Sequence, residues 1–496
     1  MRQRITFIHD SDADFSTKQL QTFHGGLKVD KVKASREDRL TFGFQELPQE
    51  LWTVLKQCHE IHIRWISTDP YHSTSPFVSR LSPGLHILFT PQQGHSNELL
   101  CPLLKKVFGD HLKCSNPESS FIALPILSER FAHSAATQYY QLAPSLEELI
   151  TYIQQKICPL SDEECSTRAD ALRSVSYLDI DYDAISHALT LTGHWANSPE
   201  KGWTEKFRKV EGSDSIEVGV LTNEKSIDPE DIKLGGWLTV AGETDPTSTL
   251  FSFPSRHHPY SGASFAVSFQ TPTGLHPTLE ITLPSSLAYP GEKCALLSYI
   301  TLPSYIFADK YQFSDELFLA SKKLMGLRMI AGETDLEAPD WMIEKWGSSL
   351  LVELALPETN EPEATGNWTA EIPLHFRYLS PDSGGTSHVD FPWPTVFWAC
   401  VAEEGSKMPV NPFDRVNLGF DGLFGPKTMF YHIEPNPDPA TNSTLIEKLQ
   451  IPVLDSDRTG LVEMGTVAVI AMGFLWICWK LLKPVKPRSI PKEKLQ

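Results

Sequence analysis

The sequence predicts an α+β amino-terminal region, then a mainly-β, antiparallel sandwich-like domain, then one carboxyl-terminal transmembrane helix. Three observations carry that reading. Apolar residues recur at helical spacing in the amino-terminal portion, alternate with period two beyond about residue 205, and run unbroken near the end. These shifts divide the chain into a mixed α/β region (1–204), a β-rich domain (205–460), a membrane helix (461–482) and a basic tail (483–496). A content of 41% hydrophobic and 21% charged residues is the balance of a folded chain, and 37 prolines with 29 glycines favour short elements joined by turns.

Pro48 followed by Leu51, Trp52, Leu55 and Cys58 gives a short helix, after which Ile61, Ile63 and Trp65 alternate with Glu60, His62 and Arg64 as a strand with one buried face. Ser145 and Glu148 have the spacing of a capping box ahead of a helical stripe, Leu146, Leu149, Ile150, Ile153 and Ile157, that stops before Pro159. Later, Ala263, Phe265, Val267 and Phe269 form one alternating set, Leu279, Ile281 and Leu283 a second, and Ile372, Leu374, Phe376 and Tyr378 a third. Such strands, separated by Pro- and Gly-rich turns, build a sandwich. Residues 357–370 and 434–445 are polar, contain proline and read as loops.

From Gly465 to Trp479 there is no charge, and Met464, Leu481 and Leu482 extend the apolar stretch to the roughly 20 residues a bilayer span needs. Trp476 and Trp479 sit where an interfacial belt would lie. Six basic residues and one acid follow from Lys480, whereas Asp455, Asp457 and Glu463 precede the span with only Arg458 opposing. The positive-inside bias places the tail in the cytosol and the body outside it. The opening MRQRITFIHDSDADF has no apolar h-region or cleavage site, so no cleaved signal peptide is expected. The sequons at Asn367 and Asn442 favour an extracytoplasmic body, and Lys492 and Lys494, third and fifth from the end, resemble a dilysine retrieval signal. A tail-anchored cytosolic adaptor is the alternative topology.

The net charge of −19 repels a phosphate backbone, so nucleic acid is not an expected partner. Eight cysteines show no zinc-ligand spacing, and Cys478 falls in the apolar segment. Cys294 and Cys400, alone in the β-rich region, are either a disulfide or two buried thiols. No P-loop, GxSxG or HExxH is present; His59 and His62 are three apart in an alternating strand, and His257-His258-Pro259 reads as a turn. Asp179, Asp181 and Asp183 are the one carboxylate set that could hold a divalent ion for a metal-dependent glycosyltransferase. Their alternation with Ile180 and Tyr182 equally describes a solvated strand face or turn. No cofactor is expected.

Leu275–Ile281 (LHPTLEI), Leu302–Gln312 (LPSYIFADKYQ) and Ile372–Pro381 (IPLHFRYLSP) resemble the PIG-X family in its long fungal form. So do Glu333–Trp341 (ETDLEAPDW), Pro392–Cys400 (PWPTVFWAC) and Asn411–His432. The resemblance implies a non-catalytic subunit in the endoplasmic reticulum membrane, with its amino terminus in the lumen. It also implies stabilisation of the multispanning catalytic subunit of GPI mannosyltransferase I, which adds the first mannose to the GPI-anchor precursor, and a chaperone-like influence on other lumenal proteins.

Overall fold

The alternating segments pair into two large sheets in a computed structural model, which describes every residue except 10–14, 93, 95–96, 126–136, 160–161, 210–213, 243–245, 357–365, 403–410, 415–418, 441 and 483–496. The first sheet has eleven strands, in the order Thr247–Pro254, Asp231–Val240, Ser215–Glu224, Arg2–His9, Ser35–Phe42, Ala188–Trp195, Tyr177–Asp183, Cys58–Ile66, Gly84–Pro91, Thr137–Gln141 and Ile122–Ala123. Arg2–His9 lies parallel to Ser215–Glu224 near its middle. The sheet runs to Pro254, past the division drawn at residue 204, because Ser215–Glu224 returns to pair with the first strand.

Register sorts the two faces. Leu40, Leu191, Ile180 and Ile63 stand opposite one another on four adjacent strands, and Phe42, Leu189, Tyr182 and Ile61 form the next row on that face. Helices gather on this apolar side: α1 (Gln49–Leu55), α2 (Leu100–Phe108), the single turn α3 (Pro117–Ser120), α4 (Glu147–Lys156) and α5 (Glu163–Asp170). The stripe on α4 buries Leu149 and Ile150 as its spacing requires, but the capping box is not formed. The helix starts one residue late, which puts Leu146 at the cap and Ser145 outside it. The Cys58–Ile66 strand buries both faces rather than one: His62 and Arg64 are 4% and 1% exposed on the side away from the helices, where Ser79 meets Arg64.

The second sheet has eight strands, in the order Leu324–Gly332, Gly347–Leu354, Cys294–Pro303, Thr395–Val401, Thr428–Pro435, His257–Phe269, Thr278–Pro284 and Asn367–Pro373. His257–Phe269 runs parallel to Thr428–Pro435 up to Phe265 and antiparallel to Thr278–Pro284 from Ala266, with a register break between Tyr260 and Ser264. A strand that breaks register in this way can turn from one leaf into the other. The sheet so folds into a sandwich around Leu279, Ile281, Ile300, Leu350 and Trp398. Along Thr395–Val401, Val396 and Trp398 enter that core while Phe397 and Ala399 enter the core shared with the first sheet. Burial on both faces explains why these strands are apolar throughout. A three-stranded sheet (Trp203–Arg208, Gly26–Val32 and Leu20–Phe23), two strand pairs (Ile306–Phe307 with His375–Phe376, Thr386–Pro392 with Ile446–Pro452), a short helix α6 (Glu316–Ser321) and the terminal helix α7 (Thr459–Leu482) join these two sheets in an architecture that is mainly β with an α+β amino-terminal part.

Candidate functional site

Asp179, Asp181 and Asp183 do share one face of Tyr177–Asp183, as alternation dictates, but all three are engaged within the protein, Asp181 Oδ1 lying 3.6 Å from His62 Nε2, and the face is buried at Asp179 and half-buried at the other two. Asp179 is 2% exposed, with Oδ1 2.9 Å from His62 Nε2 and 3.6 Å from Arg64 Nε. Arg64 in turn donates to the Ser79 hydroxyl at 2.9 Å and lies over the Tyr177 ring. Burial opposes the His62 imidazolium, yet the carboxylates of Asp181 and Asp179 outweigh it and hold the His62 pKa above its ordinary value. Asp183 accepts the Ile185 and Ser186 amides and the Ser186 hydroxyl, tightening the turn into the next strand. Among the described residues no group of three or more His, Cys, Asp or Glu side chains is arranged to hold a metal.

His257-His258 opens a strand instead of forming a turn, because its backbone pairs with Phe430 and Tyr431. His257 Nδ1 is 2.8 Å from His432 Nε2 in the interior, and His257 Nε2 is 3.4 Å from Asp421. Burial presses the His258 pKa down to about 4.

Cys294 and Cys400 lie directly opposite on paired strands and are joined by a disulfide. Two further disulfides, Cys101–Cys114 and Cys158–Cys165, have no spacing signature in the sequence. Cys58 and Cys478 are free, and burial pushes the Cys58 thiol up to about 12. Alkylation of the denatured chain is accordingly expected to modify two thiols before reduction and eight after it; four or more before reduction would contradict the pairing.

Asn367 is exposed at the start of the Asn367–Pro373 strand, not in the loop expected through residue 370. Burial of Trp368, Ala370 and Ile372 in the sandwich core converts that stretch into strand. Asn442 is half-buried, its amide nitrogen donating to Ile446 O at 2.6 Å and to Glu447 at 3.2 Å. Lys492 and Lys494 lie outside the described residues.

Helix α7 contains 24 residues, about 36 Å at 1.5 Å per residue, against a hydrocarbon core of about 30 Å. None of it is buried against the body, so it is not the core helix of a globular domain. It is long and apolar enough to cross a membrane.

Beside its root, Arg377 knots together segments far apart in sequence. Its Nε donates to Ser304 O at 3.0 Å, its Nη1 donates to Asp335 O and Ala338 O, and its guanidinium lies 4.4 Å from the Phe307 ring centroid. Asp340 accepts the Ser304 hydroxyl at 2.6 Å, and its amide donates to Tyr378 O. The knot presents Trp341, Met342 and Tyr378 at 58%, 68% and 67% exposure. Four residues after Tyr378, the Asp382 amide donates to Leu454 O and its carbonyl accepts the Ser456 amide, just ahead of α7. Four residues reach about 14 Å at most. The patch therefore stands at the end of the body from which α7 leaves. Sequence alone marked the three segments separately; their assembly through Arg377 is a tertiary fact.

The PIG-X / PBN1 family matches residues 272–482. The chain is similar to Protein pbn1 of Emericella nidulans, 50% identical over 505 residues that cover 97% of this chain and 95% of that protein. Protein pbn1 of Neurospora crassa is 45% identical over 489 residues, with the same coverage of both chains. Protein PBN1 of Saccharomyces cerevisiae is 29% identical over 292 residues, 56% of this chain and 62% of that one. With identity of this order extending over nearly the whole chain, well beyond the segments that first carried the resemblance, the protein belongs to the PIG-X / PBN1 family.

Proposed function

We propose that the chain is a non-catalytic, single-pass subunit of the endoplasmic reticulum membrane that stabilises the multispanning catalytic subunit of GPI mannosyltransferase I. The observation that carries this reading is the exposed Trp341–Met342–Tyr378 patch at the root of α7. Rigid aromatic and Met side chains are enriched where proteins bind one another, and a site at the base of a membrane helix can engage a membrane partner's lumenal loops while α7 packs against its helices. Preferential binding to the folded partner stabilises it by mass action. The same surface, engaged more weakly, suits a chaperone-like influence on other lumenal proteins.

Topology follows the charge bias and the chemistry of the body: three disulfides belong in an oxidising compartment, and the basic tail with Lys492 and Lys494 belongs in the cytosol. With the body lumenal, Asn367 is the expected glycan acceptor. Asn367→Gln should increase gel mobility to that of the endoglycosidase-treated chain, whereas Asn442→Gln, which removes an amide already engaged with Ile446 and Glu447, should change mobility little. Identical mobility of wild type, both single variants and the double variant, with a protease-sensitive body in sealed microsomes, would contradict the orientation. The partner itself is tested by purifying the full chain in mild detergent. Recovery of a multispanning mannosyltransferase in near-equal amount is expected; a chain that purifies without one, from membranes where the transferase is abundant, would overturn the reading.

A further inference from the structure

Between the apolar rows of the first sheet and the helices α2, α4 and α5 lies a half-enclosed chamber of about 640 Å³, inside the range of about 300–1,000 Å³ typical of small-molecule sites. Its floor is the row Leu40, Leu191 and Ile180, and its roof carries Leu103 of α2 and Ile153 of α4. These side chains remain partly exposed because they face the chamber and not one another. Apolar side chains left facing water in such a space forgo the stabilisation that burial against a hydrocarbon would give them. The helices cannot readily close it by drifting inward, since Cys101–Cys114 ties the start of α2 and Cys158–Cys165 ties the end of α4 to α5.

We infer that this chamber binds one long hydrocarbon chain, acyl or isoprenoid, of an amphiphile whose polar head rests in the cleft at the chamber mouth. Two features select hydrocarbon over peptide. The floor strands are interior strands whose amides and carbonyls are already spent in ladders on both sides, and the roof is helical, so an entering peptide backbone would find few partners for its own polar groups. A hydrocarbon chain brings none. At the mouth the lining changes character to Glu163, Glu164, Thr167, Arg168, Lys206 and Arg208, a polar cleft of about 410 Å³ continuous with the chamber through Glu164, Arg168 and Arg208. Glu205 beside them is already paired with Arg36 at 2.6 Å, and Arg168 and Lys206 have no ion pair among the described residues. A mainly apolar chamber, in whose lining Arg36 with Asp38, and the Met1 ammonium with Glu46 and Asp214, are already ion-paired, opening into a charged cleft has the polarity profile of a single-headed amphiphile.

The test uses the full chain in its own membranes. Cells receive either palmitate carrying a terminal diazirine or a diazirine-bearing geranylgeraniol, membranes are irradiated, and adducts are mapped by peptide mass spectrometry. Peptides containing Leu40, Leu103 and Leu191 should carry adducts in at least one arm, and which arm does so distinguishes the acyl from the isoprenoid source. Leu191→Trp with Leu103→Trp, which fills the chamber, should lower those adducts at least fivefold while labelling of residues 459–482 in the same sample stays constant. The milder Leu103→Phe serves if the double variant fails to fold, and the wild-type map is decisive without either. Chamber peptides labelled no more than the Thr395–Val401 core strand in both arms, adducts unaffected by filling, or a tightly held peptide recovered from the chamber would each overturn the inference.

Discussion

Trp341→Ala combined with Tyr378→Ala is expected to lower recovery of the multispanning partner in mild detergent about 30-fold or more. Truncating one aromatic anchor at the centre of an interface costs about 2 kcal/mol or more, which is about a factor of 30 in affinity, and anchors in one patch do not add simply. Both side chains are majority-exposed, so the variant's own stability should move by only about 0.5 kcal/mol per site. The Arg377 knot that supports them is built from backbone carbonyls, which neither substitution removes. Ile185→Ala is the control: Ile185 is 84% exposed on the turn between two strands of the first sheet, remote in sequence from the patch, and should leave recovery unchanged. Equal recovery from the patch variant and the control would remove Trp341 and Tyr378 from the contact.

Asp179→Ala should be the most destabilising of the three aspartate substitutions, at about 3–5 kcal/mol, because it removes the buried carboxylate beside Arg64 and the hydrogen-bond partner of His62. Against whole-domain stabilities of about 5–15 kcal/mol, that lowers abundance in cells. The pH dependence has a definite sign. With its folded pKa raised, His62 contributes stability that is fully present below its unfolded value of about 6.5 and is lost as pH rises through the folded pKa. The buried imidazoles of His86, His194, His258 and His432, held neutral with lowered pKa values, shift stability the opposite way in wild type and variant alike, so the expected result is a wild-type urea midpoint that declines across that window relative to the His62→Gln midpoint. A wild-type midpoint that rises relative to His62→Gln across the same window, or an Asp179→Ala midpoint equal to wild type, would contradict the buried network.

Much of the fold was legible because burial imposes periods. The stripes at Trp52 and Leu55, and at Leu149 and Ile150, produced α1 and α4, and the alternating sets around Phe265 and Ile281 produced strands with those residues inside. What failed was whatever depended on the second face. His62, Arg64 and Asp179 look like a solvated face because each is ionisable, but pairing across neighbouring strands lets all three be buried together. The division at residue 204 missed the return of Ser215–Glu224 to Arg2–His9, a pairing between segments some 210 residues apart that no local pattern encodes. Two of the three disulfides were invisible for the same reason: their spacings of 13 and 7 residues acquire meaning only when helix ends converge. The exposed Trp341–Met342–Tyr378 patch was half legible, in that its segments were marked by resemblance while Arg377 gave no sign of holding them together.

The most direct test of the accessory role is mannosyl transfer in microsomes depleted of this chain, followed by chase of the GPI precursor and immunoblots of both proteins. Depletion should lower the catalytic subunit and accumulate glucosaminyl-phosphatidylinositol lacking its first mannose, and resupplying the chain should restore both. Transfer that remains lost while the catalytic subunit stays at normal abundance would mean that this chain contributes to the reaction itself, and would contradict the account.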